Sequence, residues 1–397
     1  LKIAMIDPSL FTLPYDSALC AALMARGCDV TLYGRELRSQ EFTPREAAPR
    51  AFFYRWSERP DAAAPSGMFH VLKGLEHAAD LARLARVLRT ERPKVVHFQW
   101  LPLPAIDMIA VRRIRRSIGP VVLTVHDVAP FNNSPKSAIQ RIGSKSVWRE
   151  FDHLIVHSES SRTLLVERGL SPERISTISH GILDVPKSSG GLSRDSAPLT
   201  ILLFGRIKAY KGVDVMIEAL GRLSAPLRAR CQVLVAGEPM IPVQPLMRRA
   251  EALGVADSIV WKLGYATEDD MGKVFCQADI FAFPYREIDT SGVLMSCLPY
   301  GKPIIASGIG AFQKLLRNGT HGRIVPPDDP IALAEAIETL LADPELLRSC
   351  GRNVGLLSTQ IPSWDVIAER TSALYEALVR ARENAVGAPM TQPMAAA

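Results

Sequence analysis

A chain of 397 residues is longer than one ordinary hydrophobic core organises, so two domains are expected. The composition, 47% hydrophobic and 22% charged, is that of a globular protein, and no apolar run reaches the ~18–20 residues of a spanning helix. Lysine and arginine exceed the acids by 47 to 41, for a net charge of +6, which suits an anionic ligand, an anionic membrane face or nucleic acid without choosing among them.

Residue Leu1 opens directly into the strand-like run LKIAMID, with no basic region leading into an apolar core, so no export signal is expected. Short β-branched runs follow in the first half: DVTLYG, KVVHFQW, VVLTVHD, HLIVHS and RISTISHG. Helical stretches fit between most of them. Leu19, Ala22 and Leu23 are expected on one buried face, and Ile106, Ile109 and Ile114 on another. This alternation predicts a parallel, doubly wound sheet over residues 1–183. Residues 184–197, rich in Ser, Gly and Pro, read as a linker. The alternation restarts with LTILLFG, CQVLVAG, IVWKLG, IFAFPY, KPIIAS and GRIVPP, which predicts a second Rossmann-like domain over 198–362. A last helix is expected over 363–383, returning to the first domain, and a disordered tail over 384–397.

Six scattered cysteines lack CxxC spacing, which favours a reducing cytoplasm and argues against a zinc site. Arginines cluster at Arg112, Arg113, Arg115 and Arg116 and again at Arg83, Arg86 and Arg89. Each group reads either as a solvated helix face or as a membrane-surface patch, to which Phe52, Phe53, Trp56, Met68 and Phe69 could add shallow insertion.

In open α/β sheets ligands bind beyond the carboxyl ends of strands. His97, His126, His157 and His180 all fall there. Any one of them reads first as a structural, hydrogen-bonded histidine, and His126 is singled out as the exception because Asp127 and the polar loop VAPFNN follow it. The strongest local signal is FGRIKAYKGVDVMIEAL. A strand ends at Gly205, Arg206 and Lys211 follow, and Gly212 opens an amphipathic helix, so a forked donor and a point charge meet a helix start where a diphosphate could sit. In PYREIDTSGVLMSCLPYGKPIIAS, Glu287 and Asp289 precede Thr290, Ser291, Gly292 and Val293 at a helix start. This turn could take sugar hydroxyls on its acids and phosphate on its amides. The fragment GIGAFQ lacks the third glycine of a dinucleotide fingerprint and follows a late strand, so NAD binding is disfavoured, and P-loop, GxSxG and HExxH patterns are absent.

Taken together these residues resemble the large family four of retaining GT-B glycosyltransferases over nearly the whole chain. GRIKAYKGVDVMIEAL, VLVAGEP, VWKLGYATEDDMGKVFCQADIFAFP, YGKPIIAS and GRIVPPDDPIALAEAIETLLADPELLRSCG follow in family order. The resemblance implies an α/β GT-B fold, two Rossmann-like domains facing across a cleft. It implies transfer from a UDP- or GDP-sugar to a glycan or lipid-linked saccharide of bacterial surface or exopolysaccharide synthesis, with no metal or cofactor and no nucleic acid partner. Arg206 and Lys211 would hold the diphosphate, and His126 and Glu287 would orient the donor sugar. Gly205, Gly237, Glu238, Gly264, Tyr265, Asp289, Thr290, Ser291, Gly292, Val293 and Ser296 would line the donor, with Gly264–Tyr265 beside the base. Such an enzyme would work in the cytoplasm, at the inner face of the plasma membrane. Two departures stand out. Ser296 occupies the place of the family's second motif glutamate, as in an SGVL-type subgroup, and DPSLFTLPYDSAL replaces the glycine-rich acceptor loop. A nucleotide-sugar 2-epimerase and a non-catalytic sugar-nucleotide-binding subunit remain as alternatives.

Overall fold

The computed structural model describes residues 1–38, 44, 46–58, 67–128, 142, 144–186 and 198–387. Among these the chain divides into two units. Unit 1 holds residues up to 179 together with 363–387, and unit 2 holds residues 180–362. Most of the expected linker, residues 187–197, most of the VAPFNN loop and the end of the tail lie outside the described residues.

In unit 1 the strands are β1 (Lys2–Ile6), β2 (Asp29–Arg35), β3 (Arg50–Phe53), β4 (Val95–Phe98), β5 (Val121–Val125), β6 (His153–Val156) and β7 (Ile175–Thr177). They pair in parallel throughout, in the order β3-β2-β1-β4-β5-β6-β7. A parallel sheet has both faces covered, which is why β4, β5 and β6 are apolar runs buried at every position. The crossovers include α1 (Leu13–Ala25), α2 (Gly67–Glu91), α3 (Pro104–Ser117) and α4 (Glu159–Glu167). Strand order reverses between β1 and β4, the place where such sheets open a crevice.

Unit 2 repeats the plan with β8 (Leu199–Phe204), β9 (Cys231–Gly237), β10 (Ile259–Leu263), β11 (Ile280–Phe283), β12 (Ile304–Ser307) and β13 (Gly322–Val325). These pair in parallel as β10-β9-β8-β11-β12-β13, reversing between β8 and β11. Its helices include α5 (Val213–Arg222), α6 (Gln244–Ala252), α7 (Glu268–Gln277), α8 (Gly292–Cys297), α9 (Gly310–Leu315), α10 (Pro330–Ala342) and α11 (Pro344–Gln360). The final helix α12 (Trp364–Gly387) packs on α1 of unit 1. Arg26 pairs there with Asp365 at 2.8 Å, and the buried Tyr375 hydroxyl meets His97. Helix α12 runs through residues 384–387, where a disordered tail was expected.

Three expectations need correction. Strand β3 was not expected, and it puts Phe52 and Phe53 in the core at 3% and 1% exposure, so neither ring reaches a membrane. Ile109 does not share the face of Ile114: five helical positions turn the side chain about 140°, and Ile109 is 63% exposed. The arginine clusters are partly paired with acids of the chain, Arg112 with Glu150 and Arg115 with Asp152, both at 2.7 Å, and Arg83 with Asp80 and over the Phe52 ring.

Candidate functional site

At the carboxyl end of β8, Gly205 adopts a φ of +101°, and a Cβ there would come within 2.6 Å of Lys211 Nζ. The missing side chain is the space into which Lys211 folds back. A short turn, Ala209–Lys211, then leads to Gly212, whose φ is +68°. Any Cβ on Gly212 would strike the Pro284 carbonyl at 1.9 Å, so the start of α5 sits against the end of β11 only with glycine there. Lys211 is 8% exposed, donates from Nζ to the Phe204 carbonyl at 2.9 Å, and lies 5.3 Å from the centroid of the Tyr285 ring. Burial, reinforced by Lys208 and Arg206, pulls its ammonium down to about 7. Such a group costs energy to keep charged and gains most from an arriving anion.

Arg206 is more open. Its Nε stands 3.6 Å from the Glu238 carboxylate, both side chains close to half exposed, and an exposed pair of that length contributes little. The backbone ties the same region together: Ile207 donates to Glu238 O at 2.8 Å, Gly205 to Ala236 O at 2.9 Å and Gly264 to Gly237 O at 3.1 Å. Gly205, Gly237 and Gly264 therefore line adjacent carboxyl ends of β8, β9 and β10, with Tyr265, 40% exposed, following. Val293 in the first turn of α8 flanks the same space, 3.4 Å from where a Gly205 Cβ would stand. Gly205, Arg206, Lys211 and Val293 thus gather at the β8 side of the reversal of strand order, and Gly237, Glu238 and Gly264 extend the same carboxyl edge along β9 and β10.

The remaining members of the PYREIDTSGVL stretch divide. Ser291 caps α8, its Oγ accepting from Leu294 N at 3.2 Å. Glu287 is half-buried and has no hydrogen-bond or ion-pair partner among the described residues. The backbone oxygen of Asp289 accepts from Ala311 N at 3.0 Å, and Thr290 is half-buried beside it. Ser296 is 3% exposed and gives its hydroxyl proton to Gly292 O at 3.1 Å, so it turns into its own helix. Sequence reasoning missed Arg286. Its guanidinium holds both Asp214 oxygens, at 2.9 and 2.7 Å, as well as Asp328 and the Ala209 carbonyl, and so pins the turn that carries Lys211. Its place between the strand end and the first acid was the available signal.

In unit 1, His126 follows β5. Its Nε2 lies 3.1 Å from Gln99 Oε1 and its Nδ1 3.1 Å from His157 Nε2, while the ring of Tyr15 meets both imidazoles edge-on or tilted. Gln99, Trp100, Leu101, Asp127 and Trp148 join His126 around a shallow recess. His97 is fully buried between Tyr375 and Thr124, and burial pulls it down to about 3. In unit 2, His180 lies against the Gly181 carbonyl at 2.7 Å and is pulled down to about 4 by burial. Among the described residues no group of three or more His, Cys, Asp or Glu is arranged to hold a metal, and no helix is long and apolar enough to cross a membrane.

Residues 17–183 match the family model of the Glycosyltransferase Family 4, and residues 198–343 that of the Glycosyl transferases group 1. The chain is 28% identical over 360 residues to a D-inositol 3-phosphate glycosyltransferase of Geodermatophilus obscurus, covering 83% of this chain and 78% of that one. It is 25% identical over 277 residues to an alpha-D-kanosaminyltransferase of Streptomyces kanamyceticus, covering 64% and 70%. Anabaena HepE, solved in complex with UDP-glucose, is similar in fold, with a TM-score of 0.73 at 18% identity over 95% of this chain and 100% of that one.

Proposed function

Each half of this chain belongs to a glycosyltransferase domain family, and from that premise we propose that it moves a sugar, with retention of anomeric configuration, from a nucleoside-diphosphate sugar to a glycan acceptor. The observation that carries the reading is Lys211, a buried ammonium beside a strand-order reversal, folded into the space that Gly205 leaves and neighboured by a guanidinium. When the bond to the sugar breaks, negative charge builds on the leaving diphosphate. Cations already fixed at that place stabilise the transition state more than the ground state. Arg206 adds a forked donor that a lysine cannot imitate. Retention needs no enzymic nucleophile if the departing diphosphate takes the acceptor's proton on the face it leaves. Since the two side chains supply cationic charge, the reaction is proposed to need no divalent metal and no cofactor.

The fold neighbour HepE, solved with UDP and with UDP-glucose, favours a UDP-sugar as donor, with a GDP-sugar next. The acceptor is proposed to be a lipid-linked saccharide of surface-polysaccharide synthesis, reached at the cytoplasmic membrane face through unit 1. Trp56, Val71, Leu72, Leu75 and Ile109 are each more than half exposed on or beside α2 and α3. Arg86, Arg89, Arg113 and Arg116 on the same two helices are exposed and make no ion pair among the described residues. Apolar insertion with arginines at the headgroups suits an anionic bilayer.

The test is a panel of UDP-, GDP- and ADP-sugars with the purified protein, reading nucleotide release with and without glycan acceptors. One donor should be hydrolysed slowly alone and faster with acceptor. Release that no acceptor accelerates, with epimerised sugar, would replace the reading with that of an epimerase, and binding without turnover would replace it with that of a binding subunit.

A further inference from the structure

Two carboxyl groups lie at the start of unit 1, out of reach of solvent. Asp7, just past β1, and Asp16, in the first turn of α1, are both fully buried. Neither makes an ion pair among the described residues, and two buried charges without a counter-charge are costly. The hydrogen bonds decide which acid is charged. Both oxygens of Asp7 accept backbone N–H groups, Oδ1 from Ser9 at 3.2 Å and Oδ2 from Thr12 at 2.9 Å, at the amino end of α1 where negative charge is favoured. Asp16 accepts no backbone N–H among the described residues. Its polar neighbours are the Asp7 carboxyl and the Thr12 hydroxyl, the latter 3.1 Å from each Asp16 oxygen and 3.2 Å from Asp7 Oδ2. A single hydroxyl proton cannot serve two carboxylates. With a proton on Asp16, its O–H donates to Thr12 Oγ1, Thr12 donates on to Asp7, and each group has a partner.

We propose that Asp16 is held as an undissociated acid, that its hydrogen bond through Thr12 fixes the turn after β1, and that this turn presents Phe11 on Trp100 as an aromatic platform for a saccharide ring of the acceptor. The platform rests on the glycosyl-transfer reading; the buried acid does not. Asp16 and Thr12 are positioning residues and touch no substrate. No proton leaves them in the reaction.

Burial first, and then the Asp7 charge, push the Asp16 carboxyl well above the usual carboxylate range, whereas at Asp7 the Thr12 and Ser9 N–H bonds oppose the effect of burial. The other ionisable groups facing the pair are Tyr15 and Cys20 on α1 and Tyr54 after β3, and burial holds all three protonated. Arg35, after β2, reaches the turn through its backbone: its Nε donates to the Ser9 carbonyl at 3.1 Å and pairs with Glu58 at 3.2 Å. The turn is tight. Leu10 takes a φ of +51° and donates to the Asp7 carbonyl at 3.2 Å, and its side chain fills the space above Gly34, where a Cβ would stand 2.2 Å from Leu10 Cδ2. Phe11 is thereby turned outward. Its ring stacks on Trp100 at 4.2 Å and 22°, beyond the carboxyl ends of β1 and β4 where the strand order reverses, and it stays 42% exposed. A sugar ring has an apolar C–H face and a rim of hydroxyls. The stacked rings suit the face, and Gln99, His126 and Asp127 around the adjoining recess suit the rim.

Infrared difference spectra and urea unfolding of the full chain test the buried acid, and kinetics with the acceptor that most accelerates nucleotide release test the platform. At pH 7 the wild type should show the carbonyl band of an undissociated carboxylic acid, absent from Asp16→Asn. Asparagine puts an amide N–H where the acid O–H was, so Asp16→Asn should fold and keep the acceptor KM. The same change at Asp7 sets an amide nitrogen against the N–H of Ser9 or Thr12, so Asp7→Asn should lower stability and raise the acceptor KM ~10-fold. Because the folded acid keeps its proton above the unfolded value of ~3.9, wild-type stability should fall relative to Asp16→Asn as pH rises from 5 to 8, by up to ~10-fold in the folding equilibrium per unit. Phe11→Ala should raise the acceptor KM ~10-fold with kcat changed less. A missing acid band at pH 7, or a stability difference that does not change with pH, would overturn the buried acid whatever the reaction is. An unchanged acceptor KM in Phe11→Ala would overturn the platform. An acid band in a protein that transfers no sugar would leave the buried acid standing and remove the transferase reading.

Discussion

Unit 2 places its buried cation with backbone, whereas unit 1 holds its histidine with side chains drawn from several elements. Lys211 is located by Gly205 and Gly212, each allowing an approach that a Cβ would block, and by Arg286 bracing the intervening turn. His126 depends on Gln99 after β4, His157 after β6 and Tyr15 on α1. A site built on backbone is stiff and indifferent to pH except through the cation itself. A site built on side-chain hydrogen bonds is adjustable.

The sharpest way to break this contrast is to remove the cations of unit 2. Lys211→Met and Arg206→Ala should each slow transfer by ~10²–10³-fold with the melting transition nearly in place, because they act on charge that develops in the transition state. Near-normal turnover in either would refute the diphosphate assignment. Next comes the brace: Arg286→Ala should raise the KM for the donor by roughly 10-fold as the Ala209–Lys211 turn loosens, while kcat changes less. A KM that stays put would mean that the two glycines suffice.

On the unit 1 side, glutamine at Arg86, Arg89, Arg113 and Arg116 should weaken binding to anionic vesicles, each cation contributing ~1 kcal/mol at low salt. Binding equal on neutral and anionic lipid, or unchanged in the variant, would leave a soluble acceptor as the better reading. The smallest expected effect is that of EDTA, which should leave the rate unaltered. Loss restored by manganese or magnesium would show that Lys211 and Arg206 do not suffice for the leaving charge.

The same contrast explains what was legible in the sequence. Glycine, arginine and lysine between a strand end and a helix start are local, and all six strands of unit 2 were readable from apolar runs with turn residues between them. Strand β3 was not, because RAFF is four residues long at a sheet edge and its aromatics fit a surface as well as a core. Ser296 stood where a ligand-binding glutamate was expected, but only coordinates reveal that its hydroxyl is spent within α8. Arg112 and Arg115 looked like members of a free patch because their acids, Glu150 and Asp152, lie beyond the next strand. The partners of His126 come from three separate segments, and no spacing rule joins them.

The most direct test of the central claim is calorimetric titration of UDP at pH 8 in two buffers of different ionisation enthalpy. Lys211, pulled down to about 7 by burial, is mostly neutral there, and a bound diphosphate restores its charge. Binding should therefore take up close to one proton, affinity should fall as pH rises above about 7 by at most ~10-fold per unit, and Lys211→Met should abolish the uptake. Proton uptake near zero in the wild type, or uptake that persists in Lys211→Met, would contradict the account.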